Sequence, residues 1–284
     1  MNKTLQLLIC INFLFFSQFV SAQTSCQTSS GAITDTNVNC YAQPITYKTK
    51  IYRIGLCTSQ PTPPTSNTAM GLSSCTAVFS NDSGHEVTIR KGTPTALSGT
   101  ITQPATGTYS YAYAIVDPVF KTTSQFSFSP TRTNIPSSGS ATSGAVCWSK
   151  SGIFFSYRSS SAKDLIDCGT SIAAVPAETL SKVNALGVEN NVAQSTKVFS
   201  TPSGNMTGYL VDTSIKTAVL SPDGMGTVSY IVGVVPSTIT ITSSTTLLDI
   251  SFDITNGTTV EINGTGTRIE AFGVGPFSPV FSVN

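Results

Sequence analysis

Tyr109, Tyr111, Tyr113 and Ile115 alternate with Ser110, Ala112, Ala114 and Val116, a period of two. Successive side chains then point to opposite faces, which an extended strand satisfies and a helix does not. Similar β-rich runs occur at Ile45–Leu56, Glu86–Arg90, Gln125–Ser129, Ala145–Trp148, Ile153–Tyr157, Thr227–Val235 and Thr238–Thr242. Turn residues separate them, so the expected fold class is all-β and sandwich-like. One segment breaks the pattern. Val175-Pro176-Ala177-Glu178 through Leu186-Gly187 carries Pro in a first turn and Gly just past an end, which predicts a short helix over 176–186. Leu180, Val183 and Leu186 would form its buried stripe. A weaker helical signal covers Ala162–Asp167, and the Ser-, Pro- and Gly-rich stretch Ser129–Gly144 reads as a long loop.

Residues 1–22 read as a cleavable signal peptide: Lys3, an apolar stretch from Leu5 to Val20, then Val20-Ser21-Ala22 ahead of Gln23. Gln6, Asn12, Ser17 and Gln18 interrupt the stretch, which falls short of the roughly 20 apolar residues of a membrane span. Neither Cys10 nor Cys26 follows a lipoprotein-type box, and no apolar tail ends the chain, so no lipid anchor is expected. The localisation expected is secreted or cell-surface. Of seven cysteines, Cys10 lies in the leader; Cys26, Cys40, Cys57, Cys75, Cys147 and Cys168 remain. An even number in an exported chain implies disulfides, although six cysteines admit fifteen pairings. Pairing sequence neighbours gives Cys26–Cys40, Cys57–Cys75 and Cys147–Cys168. With no C-x-x-C and a single histidine, a zinc site has no second imidazole. No metal and no cofactor is expected.

All six cysteines precede Gly169, which suggests a disulfide-bearing β-region over 23–170 and a Cys-free β-region over 171–284. In the latter, Leu248, Ile250, Phe252 and Ile254 share a face opposite Asp249, Ser251, Asp253 and Thr255, and Asn256-Gly257 announces a hairpin. A two-residue loop would set Phe252 against Glu261. A three-residue loop, Thr255-Asn256-Gly257, sets Phe252 against Val260 and Ile250 against Ile262, and is the register expected.

Charged residues make up only 10% of the chain, against a usual share of about 25%. Without Lys3, basic and acidic residues balance, which argues against a nucleic-acid or anionic-membrane partner. An apolar content of 39% argues for a folded chain rather than a disordered one. Catalytic constellations are weak. His85, in Asn81-Asp82-Ser83-Gly84-His85, reads as a turn leading into a strand. Gly169-Thr170-Ser171-Ile172-Ala173 lacks the last Gly of a nucleophile elbow. Asp249 and Asp253 lie about 13 Å apart on one strand face, beyond the ~5–9.5 Å of glycosidase pairs. Asp164 and Asp167 read as a solvated face, and Ser221-Pro222-Asp223-Gly224 as a plain turn. The best binding candidate is the row Tyr109, Tyr111 and Tyr113, spaced about 7 Å apart as a sugar-stacking platform would be; the competing reading is an inward sandwich face. Trp148, beside Cys147, reads as covering a disulfide. Asn81, Asn205, Asn256 and Asn263 match the N-glycan acceptor pattern.

Ile51-Tyr52-Arg53-Ile54-Gly55-Leu56-Cys57-Thr58, followed by Cys75 and the tyrosine row, resembles uncharacterised exported proteins of marine bacteria over residues 45–128. The resemblance supports the Cys57–Cys75 pairing and carries no activity to transfer. The leader's Ser21-Ala22-Gln23 ending also looks bacterial, which weakens the N-glycan reading.

The function expected is therefore a non-catalytic secreted or surface structural protein, a subunit assembling or adhering through β-edges, with copies of itself as partner. Phe272–Asn284 is its candidate exchanged strand, weighed against an ordinary terminal strand. The alternatives are a glycan-binding module built on the tyrosine row and, third, a secreted hydrolase.

Overall fold

The computed structural model describes residues 25–36, 39–90, 96–136, 139–158, 164–172, 174–201, 204–245 and 248–283. Signal cleavage and the leader lie outside them. The fold is all-β, with no helix among the described residues. Its main sheet has ten strands and is built around Thr46–Cys57 and Gly107–Val116. Gly107–Val116 pairs with Thr46–Cys57 on one side and with Tyr230–Ile241 on the other, and the sheet continues through Gly204–Val211 to Thr196–Thr201.

The sheet forks because Thr46–Cys57 changes partner along its length. Its first residues pair with Val119–Thr123, and from Ile51 onward it pairs with Gly107–Val116, with a bulge between Ile51 and Arg53. The Asp117 amide donates to the Lys50 carbonyl at the fork. A bulge bends a strand and strengthens its twist, so the two wings diverge and curl over one core. Tyr47, Ile51, Ile54, Leu56, Phe79, Phe120 and Leu210 fill that core. A second core lies between the sheet of Gln125–Thr133, Ser143–Ser149 and Ile166–Gly169 and the three strands Cys40–Ala42, Thr258–Ile262 and Ile269–Val274. Both cores draw strands from either side of residue 170, so the last cysteine does not mark a sheet boundary.

The three disulfides are Cys26–Cys40, Cys57–Cys75 and Cys147–Cys168. Cys57 lies directly opposite Cys75, and Cys147 opposite Cys168, in antiparallel pairs. The bonds close loops with sequence separations of 14, 18 and 21 residues, each worth about 3 kcal/mol in the chain-entropy view. Three such bonds suit an oxidising, extracytoplasmic setting. No helix among the described residues is long and apolar enough to cross a membrane.

Several sequence expectations are corrected. The helix expected over 176–186 is instead the strand Thr179–Lys182, held parallel to Gly152–Phe155 and antiparallel to Val119–Thr123. Thr179, Ser181 and Val183 are buried while Leu180 and Lys182 are less so, a strand's alternation rather than a helical stripe. Pairing on both edges overrides the local Pro and Gly signals. The weaker helix at Ala162–Asp167 falls partly outside the described residues, and its end opens the strand Ile166–Gly169. The long loop shrinks, because Ser129–Thr133 continues one strand and Ser143 begins the next. Thr227–Val235 and Thr238–Thr242 merge into one strand, Tyr230–Ile241, with an irregularity between Pro236 and Ile239.

The hairpin at 255–257 does not form in either register considered. Leu248–Asp253 pairs with the C-terminal strand Ser278–Val283, with Phe252 opposite Pro279. Thr258–Ile262 pairs with Ile269–Val274 and Cys40–Ala42. The turn itself is real: the Gly257 amide donates to the Ile254 carbonyl. It is wedged between the two cores, however. A Cβ on Gly257 would sit 3.1 Å from both Pro44 and Tyr47, and buried Asn256 accepts a hydrogen bond from Ser25. Phe252 and Ile254 therefore enter the first core, and Val260 and Ile262 the second.

Candidate functional site

The tyrosine row does not form a platform. Tyr109 is 5% exposed and Tyr113 is 2% exposed. The irregularity at Pro236–Ile239, opposite Tyr109–Tyr111, breaks the row's period. Tyr109 joins the first core and donates to the Ala105 carbonyl, while Tyr113 and half-buried Tyr111 pack on the other side of the sheet with Met70, Tyr209 and Val211. Burial raises the Tyr113 hydroxyl above its ordinary value. The Tyr113 ring lies against Gly55, where an added Cβ would come within 2.2 Å of its Cε1. Stacking needs an open face, and these rings have spent theirs on the protein.

The other sequence candidates stay dispersed. His85 lies opposite Ile51 in the ten-stranded sheet, just after the outward excursion Asn81–Gly84, whereas exposed Ser171 follows a strand of the five-stranded sheet. Ala173 lies outside the described residues. Asp164 and Asp167 do converge, on Lys150, at 3.7 and 3.5 Å. Asp253 caps its own turn by accepting from the Thr255 amide. Ser221–Gly224 forms the expected turn. Cys26, Asp35 and Cys40 come together, but both sulfurs belong to a disulfide and Asp35 accepts from the Gln27 amide. Trp148 is buried against Gly169, next to Cys168. Asn256 is too buried to take a glycan in the folded chain.

Two cavities among the described residues combine apolar walls with features that bear on function. The larger, an open cleft of about 640 Å³, lies where the strand Cys75–Ile89, the short strand Thr100–Ile101, the end of Tyr230–Ile241 and Leu248–Asp253 meet. Its apolar floor comes from Val78, Phe79, Ile241, Leu248 and Ile250, and Ile101 stands 67% exposed at its rim. A bulge opposite Ile54–Gly55 explains why neighbours Val78 and Phe79 both turn into the core. Thr102, Gln103, Thr245, Ser251 and Ser282 supply a hydroxyl and amide rim, with Asp249 its single charged group among the described residues. Two strand edges border it. Thr100–Ile101 pairs only with Cys75–Ile89, and Leu248–Asp253 only with Ser278–Val283, among the described residues.

The second cavity, about 350 Å³, lies where the two cores meet. Tyr47, Phe120, Phe154, Phe199 and Phe277 wall it, with Lys197 and Glu261 its charged groups. Glu261 sits opposite Ala271; at the next step Ile262 faces Ile269, so Glu270 is the extra residue of a bulge beside it. Burial among apolar atoms, with the Glu270 charge adding, pushes the Glu261 carboxyl up to about 7. Its carboxyl makes no hydrogen bond or ion pair with another described residue. In the sequence Glu261 stands out only as a residue to keep off an apolar face. The signal available was its place between Val260 and Ile262, one charge inside a strand with buried neighbours.

Comparison of the chain with protein-family models, curated proteins and solved structures gives no match.

Proposed function

We propose that this chain is a non-catalytic extracytoplasmic structural protein whose copies associate by adding a strand at the 640 Å³ cleft. The carrying observation is the cleft's combination of an apolar floor with two strand edges that, among the described residues, pair on one side only. Open edges are templates for pairing with another chain, and natural proteins usually blunt them with charge or cover. Here the rim carries hydroxyls and one carboxylate, so little charge opposes a second copy. Main-chain hydrogen bonds would supply affinity and the apolar floor would take alternate side chains. The chain also carries an unlike edge, Thr196–Thr201, which ends the ten-stranded sheet with Val198 58% exposed. Pairing unlike edges head to tail generates rings or open filaments rather than two-fold dimers. The C-terminal strand, expected as an exchange candidate, is satisfied within its own chain against Leu248–Asp253.

Sedimentation of the purified mature chain across a wide concentration range tests this reading. Wild-type protein should show concentration-dependent oligomers, and Ile101→Lys and Ile250→Lys should each sediment as monomers at the same concentrations. Monomers alone from the wild type, or oligomers undiminished in both variants, would overturn it.

A further inference from the structure

The cavity around Glu261 is separate from the proposed assembly cleft and stands on different observations. A volume of about 350 Å³ is at the small end of ligand pockets, which span roughly 300–1,000 Å³. Its walls are aromatic and aliphatic, and one carboxyl lies within it without a hydrogen-bond or ion-pair partner among the described residues. Glu261 is half-buried, and a carboxylate partly withdrawn from water with no cation beside it is destabilised, so a cation entering the cavity would complete it. The local backbone keeps room for it. Gly273, opposite Thr259, has no side chain, and a Cβ there would meet Phe154 at 2.9 Å and Glu261 Oε1 at 3.6 Å. The bulge at Glu270 adds a like charge beside it instead of a cation, and Glu270 is itself held by Arg268 at 2.8 Å.

We propose that this cavity binds a small organic amine with an apolar body, the ammonium facing Glu261 and the body lying among the aromatic walls. A cation satisfies both features of the site. It neutralises the carboxylate in a low-dielectric setting, and aromatic faces attract it. Lys197 already uses that attraction at the cavity wall, its ammonium 5.7 Å from the Phe199 ring centre. An anionic ligand would meet Glu261, and a neutral one would leave the carboxylate unneutralised. The titratable and charged groups lining the cavity or acting on Glu261 are Tyr41, Tyr47, Lys197 and Glu270. Both tyrosines are raised by burial, Tyr41 to about 12, and stay neutral through the working range.

Calorimetric titration of the full chain with three indole probes tests this: tryptamine, its neutral counterpart indole-3-ethanol, and the anion indole-3-acetate. At about pH 8 tryptamine should bind saturably and at least tenfold more tightly than either other probe. Glu261→Gln should bring tryptamine and indole-3-ethanol within about twofold of one another. Lys197→Met, which removes a like charge from the cavity wall, should tighten tryptamine severalfold. Lowering the pH of the wild type to about 5 should shrink the tryptamine preference without any mutation, because the carboxyl is then protonated. Absence of saturable binding by any probe, no tryptamine preference, or a preference that survives both Glu261→Gln and pH 5 would overturn the proposal.

Discussion

Glu261 also makes the fold sensitive to pH, with a sign opposite to that of most carboxylates. In the unfolded chain its pKa is the ordinary 4.5; in the fold burial and Glu270 raise it to about 7. Between those values the folded state binds more protons than the unfolded state, so stability falls as pH rises. The loss begins near pH 4.5, is complete just above pH 7, and stability is flat beyond. One pKa unit corresponds to about 1.4 kcal/mol. The full shift would give about 3 kcal/mol, and the partial exposure of Glu261 reduces the expectation to about 2 kcal/mol. Glu261→Gln keeps the shape and removes the titration. Guanidinium denaturation of both proteins at several pH values from about 4.5 to 8 provides the comparison. The two should be close at the acid end, and the variant should be about 2 kcal/mol the more stable at pH 8. Parallel curves for the two proteins would refute the assignment of a carboxyl whose proton affinity is raised by its apolar surroundings and Glu270.

Further expectations concern single contacts. Asn184 is fully buried, accepts from the Tyr157 amide and the Ser156 hydroxyl, and shares its two Nδ2 hydrogens among the Tyr157, Ser221 and Gly224 carbonyls. Asn184→Ala should cost about 3–4 kcal/mol in chemical denaturation, at about 1 kcal/mol for each lost bond. Gly55→Ala, whose new Cβ would sit 2.2 Å from Tyr113 Cε1 and 2.8 Å from the Thr76 carbonyl, should lower stability by about 1–3 kcal/mol. Replacing Cys57 and Cys75 together by serine should cost about 2–5 kcal/mol and increase proteolysis within the 58–74 loop that the bond closes.

What could be read from the chain followed its local physics. The alternation at 109–116 and 248–254 marks strands, and cysteines close in sequence meet across antiparallel pairs. What escaped was decided by partners far along the chain. Pro176 and Gly187 frame a segment that two flanking strands draw into a sheet. Asn256-Gly257 turns the chain as its composition says, but Tyr47 and Pro44 packed against the turn send the following strand into another core. The tyrosine row loses its shared face to an irregularity on the neighbouring strand, which nothing within 109–113 announces. The Glu261 cavity needs strands from both ends of the chain, so local pattern cannot disclose it. The cleft is partly legible, since Leu248 and Ile250 present an apolar face, yet its second wall at Val78–Phe79 depends on a bulge.

The central claim is that copies of this chain join by strand addition at the cleft. Amide hydrogen exchange, compared between dilute monomer and concentrated assembly, tests it most directly. Strand addition predicts new protection concentrated in Thr100–Ile101, Leu248–Asp253 and the donating edge Thr196–Thr201, with the already paired interior of Gly107–Val116 unchanged. Assembly that leaves those edge amides as exchangeable as in the monomer would contradict it.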